Sequence, residues 1–404
     1  MDIERIRSHF PALSRKVNNH SVIYLDGPAG TQVPMQVIDA ISAYYKTSNA
    51  NSHGHFTSSQ ETDVILDRTR TKVATMLNAA GPDCISFGQN MTTLNFSLSK
   101  AIMRTLQAGD EIFITQLDHE SNRGPWLTLR ENGIVVQEIK LLTNGELDYA
   151  DFGSRISSKT KLVCLGYASN ILGTVNDVEQ VTKAAHDVGA KVLVDAVHYA
   201  PHFSIDVNAL DCDFLLCSAY KFYGPHVGLL YCKRGLLDSL RPDCLRTQDQ
   251  RAPYKIETGT LNHAAIAGVE AAIDYLASLG AGDNLRDQII HALSVSHKHE
   301  ITLARTLAAA LSSIPGLTIY GPPLEVDRRA PTLSFTLQNA TAAEVCKYLG
   351  QAGIYAWDGH FYAIRTTEVF GLDKIGGVTR MGMAIYNTEE EISRTVEVLK
   401  EFVD

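Results

Sequence analysis

At 404 residues, 45% hydrophobic and 20% charged, the chain can bury a sizeable core without disulfide or metal staples, and its composition excludes disordered and collagen-like classes. A net charge of −9, from 36 Lys plus Arg against 45 Asp plus Glu with no run of five basic residues, argues against nucleic acid and anionic membrane as partners. The 7 cysteines are scattered without a CxxC pair and no uncharged apolar stretch approaches the ~18 residues of a membrane span, so a soluble, cytoplasmic protein with reduced thiols is expected.

The chain begins MDIERIRSHF, an amphipathic helix pattern. From about residue 62, helical patterns alternate with short apolar runs, the signature of βαβ units. The predicted strands are 84–88, 111–116, 161–166, 191–195, 214–218 and 228–232, with helices over 92–106 and 177–189. This is an α/β fold: a doubly wound, mostly parallel sheet flanked by helices, with ligands expected at the carboxyl ends of the strands. A helix over 263–280 closes that region. A long helix from Asn284 to about Ser312, an apolar run at 331–337, a helical segment at 341–350 and a last helix from Thr388 read as a smaller α+β domain. The expected division is a large domain over 22–270 and a small one built from 1–21 and 271–404.

Polar residues stand where the predicted strands end. KVLVD ends in Asp195, KLVCLGYASN runs out to Asn170, FLLCSAYK reaches Ser218 and Lys221, and CISFGQNMTT leads into a helix at Asn90, Met91 and Thr92. Each alone reads more readily as a turn or helix cap than as a site. Together they suit a phosphorylated pyridine: helix amides and the Thr92 hydroxyl for the phosphate, Asp195 for a protonated ring nitrogen, Lys221 for a Schiff base.

At this point the sequence resembles the class V aminotransferase family of fold type I pyridoxal 5′-phosphate enzymes, specifically its cysteine desulfurase and selenocysteine lyase members. The motifs that carry the resemblance are LDGPAGTQVP (25–34), NANSHGHFTSSQ (49–60), DHESN (118–122), SNILGT (169–174), VDAVHYAPH (194–202), SAYKFYGPHVG (218–228), ETGTLN (257–262) and TRMGMAIYNTEEEI (379–392). The resemblance implies that Lys221 is the Schiff-base lysine, Asp195 the partner of the pyridine nitrogen, His119 the residue stacked on the ring and Asn170 a donor to its phenolic oxygen. It further implies that Thr92 and Ser218 hold the phosphate, that Thr260 reaches the phosphate of the other subunit in a homodimer, and that Arg380 clamps the carboxylate of an amino-acid substrate. Simpler readings stand beside these: His119 or Thr260 as helix caps, Arg380 as an ion-pair partner. The HGH at 53–55 and HKH at 297–299 lack the neighbours that would complete a metal site, so no metal is expected, and HKH reads as a solvated helix face.

Four departures from the family pattern bear on function. His198 takes the place of a glutamine and is expected to titrate near neutrality, Tyr220 replaces a histidine before the lysine, and Asn90-Met91-Thr92 replaces Gly-Thr-Thr. The fourth is decisive: in GIYAWDGHFYAIR (353–365), Tyr362 stands where the family carries its nucleophilic cysteine, and no cysteine follows Cys346. The sequence therefore points to a carbon–sulfur lyase, with Tyr362, Trp357, His360, His53 and His55 shaping the substrate pocket. Desulfuration through another thiol, transamination and epimerisation use the same site, and a non-catalytic scaffold is a further alternative. A serine hydrolase reading of the S-x-x-K at 218–221 lacks the SDN and KTG motifs that chemistry needs.

Overall fold

The computed structural model describes residues 2–326 and 328–403. Its larger sheet contains β1 (Ile85–Gly88), β2 (Glu111–Thr115), β3 (Val135–Ile139), β4 (Thr160–Gly166), β5 (Lys191–Asp195), β6 (Phe214–Ser218) and β7 (Gly228–Cys232) in the order β1-β7-β6-β5-β4-β2-β3. The central strands are Val, Leu and Cys runs with almost no exposed surface, as a sheet covered by helices on both faces requires. Two features depart from the sequence reading. Strand β7 runs antiparallel to β6 and β1, because residues 219–227 are too few for a crossover helix. Strand β3 was not predicted because its apolar run, 134–136, is cut short by Gln137 and Glu138: it is an edge strand that exposes Val135 and turns those two side chains to ion-pair and amide partners.

The helices around this sheet are α1 (Ile3–Ser8), α2 (Met35–Thr47), α3 (Thr57–Leu77), α4 (Met91–Met103), α5 (Val178–Asp187) and α6 (His263–Ser278). Side-chain caps fix where they start: Asp177 accepts the Gln180 N–H at 3.0 Å, and Asn262 accepts that of Ala265 at 3.0 Å. The Ala-rich α6 is buried on nearly every side because α2, α3 and the long α7 (Leu285–Leu311) all pack on it. Along α7 the expected solvated HKH face holds only for Lys298: the His297 ring packs on Phe203 at 4.3 Å, and His299 Nε2 pairs with the Asn387 carbonyl at 2.8 Å.

A second, antiparallel sheet follows, with β8 (Leu317–Tyr320), β9 (Thr332–Leu337), β10 (Trp357–Gly359) and β11 (Val378–Gly382) in the order β8-β9-β11-β10. It packs on α7, α8 (Ala342–Gln351) and α9 (Glu389–Val403) through Leu307, Leu333, Phe335, Leu349, Met381 and Leu399. Ile23 and Leu25 join this core, and Ile23–Tyr24 pairs in parallel with Ile354–Tyr355. No helix among the described residues is long and apolar enough to cross a membrane.

Candidate active site

A cavity of about 490 Å³ opens at the carboxyl ends of β2, β4, β5 and β6, where the second sheet closes over the first. Its lining includes Asn90, Met91, Thr92, His119, Asn170, Asp195, His198, Ser218, Tyr220, Lys221, His360, Tyr362 and Arg380. These residues, spread over most of the chain, meet because parallel strands deliver their carboxyl ends to one crevice.

Lys221 is buried in the short turn after β6, with its Nζ donating to the Pro28 carbonyl. Burial, reinforced by Arg380, pushes the amine down to about 7, so a large neutral fraction exists at physiological pH. Asp195 ends β5; its Oδ1 accepts the Val197 N–H at 3.0 Å, so the turn-cap reading is correct for one oxygen, while the other has no partner among the described residues. Burial, together with the nearby Asp118, raises Asp195 to about 7, an arrangement that a cation against its second oxygen would relieve. His119 likewise serves twice. Its Nδ1 accepts the Ser121 N–H at 3.0 Å as a cap, and its ring still lines the cavity, held neutral at about 4 chiefly by burial.

The anion end is built at the start of α4. Asn90 Oδ1 takes the Thr93 N–H at 2.9 Å and Ser218 Oγ takes that of Met91 at 3.3 Å, which leaves the Thr92 amide of the first helical turn without an acceptor among the described residues. Gly228 runs so close beneath this turn that a Cβ there would fall 2.4 Å from the Asn90 carbonyl carbon. Tyr220 stacks on His226 at 4.6 Å and 7°, and its ring lies beneath Gly30, where a Cβ would stand 3.1 Å away.

His198 departs from the sequence expectation. Burial drives its pKa well below the ordinary histidine value, so the imidazole stays neutral rather than titrating near neutrality; its Nε2 lies 3.0 Å from the Thr332 hydroxyl. Arg380 is no surface ion-pair partner. It is buried, donates to the Asn170 carbonyl at 2.9 Å, carries the Phe361 ring 3.9 Å over its guanidinium, and has no carboxylate within ion-pair distance among the described residues.

The loop of residues 360–363 is pinned over the cavity by backbone bonds. Asn170 Nδ2 donates to the Phe361 carbonyl at 2.9 Å and the Glu120 N–H to that of Tyr362 at 2.7 Å. Phe361 and Tyr362 both hold positive φ, at 51° and 58°, a strain of the kind that clusters at functional sites. None of the seven cysteines lines the cavity; Cys346 sits in α8 with its thiol pushed up to about 12 by burial.

Three expected residues lie elsewhere in this chain. His53 and His55 are exposed, the former beside Asp63 at 3.4 Å, and neither lines the cavity. Thr260 is exposed, outside its own chain's cavity, and is not the helix cap, which Asn262 supplies. Sequence reasoning assigned no role to Asp118, which is fully buried and accepts the Gly166 N–H at 2.7 Å, tying the end of β4 to the His119 turn. Its position inside DHESN was the available signal.

A buried lysine of lowered pKa, a carboxyl with an unmet acceptor and a helix amide left for an anion, all at strand ends, define the site of a fold type I pyridoxal-phosphate enzyme. Comparison with known proteins agrees. The sequence matches the aminotransferase class-V family over residues 23–395. It is 35% identical to a cysteine desulfurase of Enterobacter sp. (strain 638) over 98% of this chain and 97% of that one, and 34% identical to a probable cysteine desulfurase of Synechocystis sp. over 98% and 94%. The fold superposes on the apo cysteine desulfurase of Thermococcus onnurineus with a TM-score of 0.89 at 26% identity, covering 99% of this chain and 98% of that one. For the Escherichia coli cysteine desulfurase CsdA in its S-sulfonic acid form the TM-score is 0.86 at 27% identity, with 99% and 98% covered. The chain belongs to the aminotransferase class-V family, in its cysteine desulfurase-like group of pyridoxal-phosphate-dependent enzymes.

Proposed function

We propose that this enzyme breaks the β-carbon–sulfur bond of cysteine or a cysteine derivative by elimination. One observation carries the reading: the cavity contains no cysteine to receive sulfur, and Tyr362 occupies the loop where a nucleophilic thiol is expected. For cysteine the balance is cysteine plus water giving pyruvate, ammonia and hydrogen sulfide, with no external reductant.

Pyridoxal phosphate, when bound, supplies a sink for the electron pair left at the substrate α-carbon. Lys221 would anchor it, with Asp195 at its ring nitrogen and His119 against its ring. Asn170 and His198 would serve its phenolic oxygen, Asn90, Met91, Thr92 and Ser218 its phosphate, and Tyr220 one wall of its pocket. Arg380 holds the substrate carboxylate and so fixes which α-substituent faces Lys221. Lys221 Nζ, neutral in part near pH 7, takes the α-proton. Burial of the site keeps water from competing for that proton.

A homodimer in which Thr260 of each copy completes the other's phosphate site belongs to this proposal, as does the division into domains 22–270 and 1–21 plus 271–404. Exposed Tyr45, Phe56 and Val64 on and beside α2 and α3, next to the start of α6, support a covering copy there. His53 and His55 adjoin Phe56, and that copy would carry them toward a pocket. The name cysteine desulfurase on the relatives favours a second reading, sulfur transfer to an external thiol with alanine as product. Quantifying pyruvate against alanine from L-cysteine, with and without added thiol, decides between them: pyruvate without thiol dependence supports elimination, and alanine that requires thiol overturns it.

A further inference from the structure

The second sheet places an aromatic side chain beside the carboxylate clamp. Trp357 on β10 is paired directly with Arg380 on β11, and directly opposed residues of antiparallel strands send their side chains to the same face. Trp357 and Arg380 therefore both face the cavity, and both line it. Four residues after Trp357, Phe361 covers the Arg380 guanidinium, and Tyr362 stands 5.3 Å from the His119 ring.

These rings differ in what covers them. Phe361 is half-buried against Arg380, whereas Trp357 is 50% and Tyr362 64% exposed although both border the same cavity. Two large aromatic faces at the mouth of the cavity are uncovered apolar surface, the usual mark of a ligand group that extends outward. Free cysteine ends at its sulfur, close to the α-carbon that Arg380 and Lys221 fix, and is too short to cover them. A group attached to that sulfur continues toward the mouth.

We infer that the substrate is an S-substituted L-cysteine with an apolar or aromatic group on sulfur, and that Trp357 and Tyr362 are the walls on which that group packs. This rests on the carbon–sulfur lyase reading. The reaction balances as R–S–CH2–CH(NH3+)–COO− plus water giving pyruvate, ammonium and R–SH: the Cβ–S bond breaks, the sulfur leaves with the electron pair and is protonated, and neither oxidant nor reductant takes part. The fixed Tyr362 loop is consistent with such a substrate, since nothing has to swing in to collect sulfur.

The test separates binding from outcome. The affinities of the pyridoxal-phosphate-loaded enzyme for L-cysteine, S-methyl-L-cysteine and S-benzyl-L-cysteine are read from the cofactor absorbance change before the first turnover is complete, and the products are then quantified. S-benzyl-L-cysteine is expected to bind at least about tenfold more tightly than S-methyl-L-cysteine, within the range a hydrophobic wall supplies. Trp357→Ala should erase most of that ratio, while Trp357→Phe retains it. Equal affinities for the three amino acids, or a ratio indifferent to Trp357→Ala, overturn the inference whatever the products are. Preferential S-benzyl binding without pyruvate would instead overturn the lyase reading and leave the specificity assignment standing.

Discussion

The Tyr362 ring stands 5.3 Å from that of His119 at an angle of 35°, and the carbonyl of Tyr362 accepts the N–H of Glu120, the residue that follows His119. The loop and the ring that would face the cofactor are thus locked together. Restoring a thiol at this position tests what its absence does. Tyr362→Cys should divert part of the L-cysteine flux from pyruvate to alanine in the presence of a thiol reductant, while the parent enzyme gives pyruvate. An unchanged ratio in a variant that still binds cofactor would show that a thiol at this position does not decide the outcome.

A second prediction concerns the segment that carries Thr260. Arg70 and Glu257 form a bidentate pair at 2.7 and 3.1 Å, both buried or nearly so, and Glu257 also accepts the Phe87 N–H at 2.7 Å. This ties the 257–260 segment to β1. Arg70→Ala leaves Glu257 buried without its counter-ion and should cost about 3–5 kcal/mol, read as a lower denaturation midpoint of the cofactor-free protein. Arg70→Lys, unable to form the fork, should fall between the two.

The legibility of this protein in its sequence divides along physical lines. Strands β2, β4, β5, β6 and β7 were readable because central strands are continuous apolar runs, and Asp195, Ser218 and Lys221 because they interrupt such runs at the end that faces ligands. Strand β3 was not, since an edge strand need bury only one side. The direction of β7 depended on connection length rather than composition. Asn170 and Arg380 could be listed as polar residues after apolar runs, but their contact at 2.9 Å spans residues 170 and 380, and no local pattern encodes it. The neutrality of His198 was likewise hidden, because its cause is burial among elements distant in the chain.

The proposed role of Thr260 predicts complementation. Thr260→Ala alone should weaken cofactor retention, measured by dialysis against a phosphate buffer, without lowering the melting temperature of the cofactor-free protein, because the side chain is exposed and caps nothing. In mixed dimers of Lys221→Ala with Thr260→Ala chains, one site pairs both lesions and the other has neither. About half the wild-type activity per mixed dimer is expected, by site counting; activity no greater than the sum of the two parents would exclude a shared site.

The cofactor-free protein should have an unusual pH–stability profile. Asp26 and Asp118 are raised by burial to about 6 and Asp195 to about 7, so in the folded state they hold protons that the unfolded chain releases near pH 4. At these three carboxyls the native state binds more protons between pH 4 and 7, so their contribution to stability falls as pH rises through that window. Lys221 acts in the opposite sense above it. Its amine, lowered to about 7, is neutral in the fold but charged in the unfolded chain up to the ordinary lysine value, so its contribution rises with pH from about 7 to about 10. Buried His119 and His297, each lowered to about 4, and His198, likewise lowered, act against the three carboxyls below about pH 6.5, so the Asp195 part is read as the difference between the parent and a variant without it. Asp195→Asn removes the largest acidic part of the slope and should raise the pH 8 melting temperature by roughly 1–2 °C for each kcal/mol of burial cost relieved. Differential scanning fluorimetry from pH 4 to 10 on both cofactor-free proteins reads this directly. An Asn variant that keeps the parent's slope between pH 4 and 7 would show that Asp195 does not carry its burial cost as described.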